Sequence, residues 1–434
     1  MGLEKRKIAE GIGLTCLSTG KFKTNFLSVN FISPLDKETA AANALIPSVL
    51  LRGCEKYPTM ADINKKLDYL YDAGLSSRNQ KRGESQVFGI CAGVLDNCYA
   101  LEGEDLLSEI VGIVGDILLH PVTDGAAFDA AYTESEKSNL IDAINANINN
   151  KAYYAKKRCT EEMCRGERYG LSENGTVGDV QAITPESLYA QYRYALKRYP
   201  IEIFFVGQTD VDRLAEKLRA VFAGPGRDII SVPAPEIVRA VSDVKRIDED
   251  MPVNQGKLVI GMRSGVTLHD PDYPAMLMFN EIFGGGVTSK LFMNVREKMS
   301  LCYYCSSSPD SYKGLLFVQS GIEVENREVA ETAINDQLEA MRRGEFTAEE
   351  MRSAYLGLVN SYRELSDSAR GLESWYLGRM LAGVGEDPDD VSERLSGVTN
   401  DEIIAAAKKS AVDTVYFLRG TLKGDGSEGD EEYA

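Results

Sequence analysis

"FDAAYTESEKSNLIDAINANINNKAYYAKKRCTEEM", residues 128–163, reads as a long amphipathic helical stretch, and the order of the elements behind it decides the fold. First come GLSENGTVGDVQAIT (170–184) as a loop, TPESLYAQYRYAL (184–196) as a capped helix and YPIEIFFVGQTD (199–210) as a buried strand. From Phe346 the succession returns. FTAEEMRSAYLGLVNSYRELSDSARGLESWYLGRMLAG (346–383) is helical, VGEDPDDVSERLSGVT (384–399) a loop, TNDEIIAAAKKSA (399–411) a short capped helix and VDTVYFLRGT (412–421) a strand. Such self-similarity marks repeated supersecondary units. The caps agree: Thr184 and Thr399 each precede a run with Glu186, or Asp401 and Glu402, in its first turn, where carboxylates favour the helix dipole. Two related α+β domains are the inference.

Each half also opens with strands, NFLSVNFI (25–32) and SQVFGICAGVL (85–95) in the first, GKLVIGMRSGV (256–266) and GLLFVQSGIEV (314–324) in the second. Between the halves, GPGRDIISVPAPEIVRAVSDVKRIDEDMPVNQ (224–255) bears prolines and charges without strong periodicity, as an interdomain linker does. The expected division is 1–223, a linker at 224–250, a second domain at 251–422, and an acidic, glycine-rich, disordered tail at 423–434.

With 434 residues, an apolar share of 44% and a charged share of 26%, the chain has ample material for a core. A net charge of -18 repels nucleic-acid phosphates and anionic membrane surfaces, so neither is an expected partner. The N-terminal stretch lacks the apolar region of a signal peptide, and no stretch approaches the ~18 apolar residues of a membrane span. The expected location is the cytoplasm. Eight cysteines in so long a chain form no dense disulfide framework and are expected reduced and mostly buried. Cys302 and Cys305 have C-x-x-C spacing, but in a strand-like run whose alternation points them to opposite faces, and no second pair completes a structural zinc site.

FNEIFGGGVTSKLFMNVREKMSLCYYCSSS (279–308) runs through a helix, a glycine-rich turn, Ser-Lys-Leu-Phe, an arginine and the stretch Ser300-Leu301-Cys302-Tyr303. Together with the repeat, this pattern resembles the insulysin, pitrilysin and mitochondrial processing peptidase family over about residues 5–422, and within it the bacterial type associated with modification of elongation factor P. The resemblance implies an α+β chain of two homologous domains, each an antiparallel-rich sheet with helices packed on one face, forming half of a clamshell. The family's zinc enzymes carry H-x-x-E-H. Aligning Arg52-Gly53 with the family's Lys-Gly-Thr lays that motif over Ala44, Pro47 and Ser48, in place of the first histidine, the glutamate and the second histidine.

The lost groups are the chemistry. Two imidazoles one helical turn apart hold Zn²⁺, and the glutamate takes a proton from metal-bound water. Alanine and proline do neither, and serine is a weak oxygen donor. Pro47 also removes a helical amide at a cost of about 3 kcal/mol. The family's third ligand falls in YTESEKSNL, at Glu134 or Glu136, where a lone carboxylate without imidazoles cannot hold zinc. The two histidines, His120 at the end of an apolar helix and His269 in a turn, rebuild no site. Gly284, Gly285 and Gly286 lack the Walker lysine and the G-x-G-x-x-G spacing of a phosphate loop, and Ser289 lies in no G-x-S-x-G elbow.

What the resemblance leaves intact is Arg296 and Tyr303, matching an arginine and a tyrosine that bind the substrate backbone and polarise its carbonyl. Both are hydrogen-bond donors suited to a developing oxyanion. The competing reading is that Arg296 pairs near Glu297 and Tyr303 packs in the sheet. In the family's heterodimeric branch one subunit carries zinc and its partner lacks the motif. The resemblance therefore implies a non-catalytic subunit of a zinc metalloendopeptidase with no metal of its own, closing a proteolytic chamber around a peptide. Zinc is expected in a homologous partner with intact H-x-x-E-H. A structural scaffold or a stand-alone peptide-binding protein of the same fold are the alternatives.

Overall fold

Successive side chains of a strand point to opposite faces of a sheet, and in the central strands of the first sheet both sets are largely apolar and buried. The computed structural model describes residues 2–224 and 226–422, so the expected tail, 423–434, lies outside the described residues. The first sheet is built from Leu3–Ala9 (β1), Ile12–Ser18 (β2), Thr24–Pro34 (β3), Gly74–Arg82 (β4) and Ser85–Leu95 (β5). After a short ribbon of Thr123–Asp124 (β6) and Ala127–Phe128 (β7), Ile201–Gly207 (β8) returns to it, giving the order β1-β2-β8-β3-β5-β4. The second sheet contains Lys245–Met251 (β9), Gly256–Arg263 (β10), Cys302–Asp310 (β11), Leu315–Ile322 (β12) and Ala411–Gly420 (β13), ordered β9-β13-β10-β12-β11.

Without β1 the two orders are one topology. In both, the last strand inserts beside the first and runs parallel to it, β8 with β2 and β13 with β9, while the other neighbours are antiparallel. The repeat in the sequence is thus a repeat of an antiparallel-rich α+β unit. Thr184 and Thr399 cap their helices as expected, each accepting from the third residue on, Ser187 and Glu402, whose side chains return the bond.

The chain forms two compact units, and neither is a contiguous half. One comprises the chain up to Ala146, Leu171–Pro235 and Arg363–Asp387; the other Asn147–Gly170, Glu236–Tyr362 and the chain from Pro388 on. The stretch 147–170, expected within 1–223, packs in the second unit, and 363–387, expected within 251–422, packs in the first. The span expected as a linker is irregular over 226–244 and then enters β9.

In the first unit Leu14, Val29, Phe88 and Ile203 face a core completed by the helices Ala40–Leu50, Leu106–Leu119 and Pro185–Arg198. The opposite face is not bare. The helix Ala369–Leu381 sets Leu372, Tyr376 and Leu377 against Leu17, Val87, Phe204 and Val206, so helices cover both faces rather than one. Each such buried side chain contributes about 1.5–3 kcal/mol. Reciprocally, Lys151–Met163 packs Ala155, Cys159 and Met163 on Val259, Phe317 and Tyr416 of the second sheet.

An ion pair fixes each inserted segment. On β4, Arg78 donates to Glu373 of Ala369–Leu381 through both terminal nitrogens, at 2.5 and 2.8 Å, with side-chain exposures of 2% and 0%. Arg78 also donates to Asn30 Oδ1 at 2.7 Å, and Ser28 Oγ donates to Glu373 at 2.6 Å. In the second unit, Arg263 on β10 bridges Glu167 at 2.6 Å and Asp413 at 2.7 Å, and Lys313 meets Glu167 at 2.7 Å. Burial pushes the Glu167 carboxyl up, but Arg263 and Lys313 hold it below its ordinary value.

Removing one partner of a buried pair leaves the other charge uncompensated. Glu373→Ala should therefore cost about 3–5 kcal/mol in chemical denaturation, while the joint change Arg78→Met and Glu373→Leu should recover most of it. A single-variant loss under about 1 kcal/mol, the scale of an exposed pair, would contradict this account.

Candidate functional site

The helix Ala40–Leu50 carries Ala44, Pro47 and Ser48, the positions over which the resemblance lays the zinc motif. Alanine is the strongest helix former, and four alanines among its first five residues carry it past the missing amide of Pro47. Ala44 and Pro47 are buried and Ser48 is half-buried. Around them lies a neutral amide network instead of a cation site. Asn43, fully buried, donates to Gln86 Oε1 at 3.1 Å and Ser33 Oγ at 3.3 Å, and its own Oδ1 accepts from Gln191 at 2.9 Å. Gln86 Nε2 in turn donates to Ala40 O, Asn79 Oδ1 and Glu173 O at 2.9, 2.9 and 2.7 Å. Residues 173–175 press on the helix: Gly175 has a φ of +67°, and a Cβ there would stand 2.7 Å from that of Ala41. Sequence reasoning missed this network, since isolated Asn and Gln in strands and helices carry no motif.

Both glutamates considered as a third ligand are already engaged by cations. Glu134 meets Lys137 at 2.9 Å, and Glu136 lies 3.4 Å from Arg52, which also donates to Ser135 and stacks on Tyr132. His120 and His269 are exposed. The helix end at His120 is satisfied by its backbone, whose N–H donates to Asp116 O at 2.9 Å. Among the described residues no group of three or more His, Cys, Asp and Glu is poised to hold a metal.

The glycine turn of the second unit is a packing device. Helix Tyr273–Asn280 widens into a π-helical turn, Glu281–Gly285, and a second π-helical segment follows at Leu291–Lys298. A Cβ on Gly285 or Gly286 would stand 2.5 or 2.7 Å from the Glu281 carboxylate, and one on Gly284 2.8 Å from Ser307 N. Close approach, rather than positive φ, requires these glycines.

Arg296 lies on the second π-helical segment, half-exposed, 3.5 Å from Glu297 and over the Phe292 ring at 4.6 Å. Tyr303 is 52% exposed, and its hydroxyl donates to Glu323 at 2.8 Å, a bond that holds the phenol above its ordinary value and so protonated at neutral pH. Arg296 and Tyr303 therefore both offer surface, and Tyr303 does not pack inside the sheet. One expectation on this strand is overturned. The ladder slips between Cys302 and Tyr304, so that Cys302 faces Ile322 and Cys305 faces Ser320. Ile322 and Ser320 are two apart and share a face, so this β-bulge brings Cys302 and Cys305 to one face rather than two. The extra residue is Tyr303.

Comparison with known proteins accords with this geometry. The pattern of the peptidase M16 inactive domain matches residues 182–357. A protein of Bacillus subtilis (strain 168) named "Probable inactive metalloprotease YmfF" is 36% identical over 411 residues, covering 94% of this chain and 96% of that one. A conserved protein from Enterococcus faecalis V583 has a crystal structure that superposes with a TM-score of 0.90 at 28% identity, covering 98% of this chain and 100% of the other. A peptidase M16 inactive domain from Pseudomonas fluorescens shares the fold at a TM-score of 0.78 and 17% identity, over 98% and 99% of the two chains.

If alanine, proline and serine stand in place of the ligands and base, as the resemblance implies, the chain has no catalytic zinc set. Elemental analysis of the purified protein should find far less than one zinc per chain. The variant Ala44→His/Ser48→His should remain proteolytically inert, because Pro47 supplies no carboxylate to take the proton. One chelator-resistant zinc per wild-type chain would contradict the assignment.

Proposed function

Because the chain belongs to the M16 peptidase family, as one of its inactive members, we propose that it is the non-catalytic subunit of a heterodimeric zinc endopeptidase. It would act in the cytoplasm on a peptide or protein substrate. What supports this reading is selective loss: Ala44, Pro47 and Ser48 stand where the resemblance lays the zinc motif, while Arg296 and Tyr303, which it matches to substrate-binding residues, have side chains half-exposed or exposed. A homologous partner with intact H-x-x-E-H would hold the zinc, which polarises the scissile carbonyl and activates water. This chain would close the chamber and bind the substrate. β4 lies at an edge of its sheet and can take an extended peptide as an added strand.

The roles follow from donor chemistry. The Arg296 guanidinium is always charged and has nitrogens free of its 3.5 Å contact with Glu297. The Tyr303 hydroxyl is a protonated donor whose acceptor, Glu323, would be exchanged for a substrate oxygen. Both strengthen as negative charge develops on that oxygen.

Co-expression with a motif-bearing homologue from the same genome should give a 1:1 complex by light scattering. In that complex Arg296→Ala and Tyr303→Phe should each slow peptide cleavage by ~10- to 10³-fold, with assembly, thermal stability and partner zinc unchanged. The double variant should be less than additive, since two donors on one carbonyl are coupled. Wild-type rates from both folded variants would leave this subunit contributing shape alone, and a homodimer indifferent to the partner would favour the stand-alone peptide-binding protein.

A further inference from the structure

We infer that Cys302 and Cys305 are a redox-active dithiol that closes reversibly to a disulfide by exchange with a small-molecule disulfide. The bulge supplies the geometry. Across the ladder the two cysteines face residues two apart on β12, so both side chains lie on one face of β11 as neighbours along the strand. β11 is an edge strand that pairs with β12 alone, so the small approach needed for closure disturbs one ladder and not two.

Access separates this pair from the rest. Cys16, Cys54, Cys91, Cys159 and Cys164 are buried, and Cys98 is exposed but stands alone beside Asp96, which pushes its thiol up. Cys302 is half-buried and Cys305 is 4% exposed, an arrangement of one reachable and one shielded sulfur. The Cys302 thiol is held down to about 7 by a hydrogen bond with Cys305, then by Ser320 and the charge of Arg296, whereas Cys305 is pushed up. Near neutral pH a large fraction of Cys302 is thiolate, the form that attacks.

The electrons balance in two exchanges. Cys302 thiolate attacks one sulfur of the disulfide RSSR; that S–S bond breaks, and the leaving RS⁻ takes up the proton Cys302 had released. Cys305 then loses its proton and attacks Cys302 Sγ, forming the intramolecular S–S bond and expelling the second thiol. Two electrons pass from the protein to RSSR, which leaves as two RSH. The bulged residue is Tyr303, so closure also shifts that side chain, a consequence for peptide contact only if the function proposed above holds. The dithiol itself does not depend on that reading.

The test uses the reduced full chain equilibrated with graded mixtures of reduced and oxidised glutathione, quenched by alkylation and read by peptide mass spectrometry. Cys302 and Cys305 should lose alkylation together and appear as one cross-linked peptide lighter by two hydrogens, reversibly. Cys305→Ser should instead accumulate glutathione on Cys302, and Cys302→Ser should leave Cys305 unmodified. At pH 7 Cys302 should react about tenfold or more faster than Cys98, in line with its thiolate fraction. Stable glutathione on Cys302 of the wild type with Cys305 still alkylated, or Cys302 no faster than Cys98, would overturn the inference. Because no activity is measured, failure here is distinct from failure of the heterodimer.

Discussion

The pairing of Arg78 with Glu373 is the constraint on which the arrangement of this chain turns. Removing a guanidinium and a carboxylate from water costs several kcal/mol apiece, and only near-ideal geometry offsets it. Both terminal nitrogens of Arg78 are used and Ser28 and Asn30 add polar contacts, while the buried Nε of Arg78 has no partner among the described residues. Arg78 belongs to a strand of the first half and Glu373 to a helix nearly 300 residues later, so neither half of the chain is complete alone. A comparable bond, Arg263 with Glu167 and Asp413, ties the segment after Lys151–Met163 to the second sheet. Apolar packing would hold either helix on its sheet, but it is non-directional; the ion pairs also set register along the sheet.

This exchange explains what was legible in the sequence and what was not. The order of elements and the caps at Thr184 and Thr399 were readable from local periodicity, and their repetition pointed to the doubled α+β topology; but 128–163 divides into Ala130–Ala146 and Lys151–Met163, 346–383 into Ala348–Leu365 and Ala369–Leu381, and the expected loops 170–184 and 384–399 hold the helices Val177–Gln181 and Pro388–Ser396. Which sheet each helix covers was not readable, because Lys151–Met163 and Ala369–Leu381 present ordinary amphipathic faces whose destinations are set hundreds of residues away. The expectation of two contiguous domains tracked the order of elements along the chain, whereas the compact units track contacts. The C-x-x-C pair failed for a smaller reason. Strand parity holds only while the ladder keeps step, and one extra residue at Tyr303 reverses it.

Around the positions over which the resemblance lays the zinc motif, sequence alone did not foresee the amide network. A helix stripped of its imidazoles could have been left with a polar hollow, where unsatisfied groups would cost about 1–3 kcal/mol each. Instead Asn43, Gln86, Gln191 and Asn79 satisfy one another and the carbonyls of Ala40 and Glu173. Neutral amides carry both donor and acceptor, so they close a network without a counter-ion.

Backbone irregularity has not been removed evenly. Among the described residues three non-glycine residues have positive φ: Tyr71 and Asp72, in the turn leading to β4, and Ser300, between Arg296 and Tyr303. The π-helical segment Leu291–Lys298 precedes that same Ser300, and the bulge of β11 follows it. Such features cost of order 1–3 kcal/mol each and persist where the surroundings over-determine them. A chain that had become a scaffold alone would gain stability by relaxing them, since no group in the region would need its present direction. Here they flank the edge strand β4 and the segment that presents Arg296 and Tyr303. Under the function proposed above, this strain would lie beside the surfaces that meet the substrate, in the second unit and at the β4 edge, rather than at the helix Ala40–Leu50.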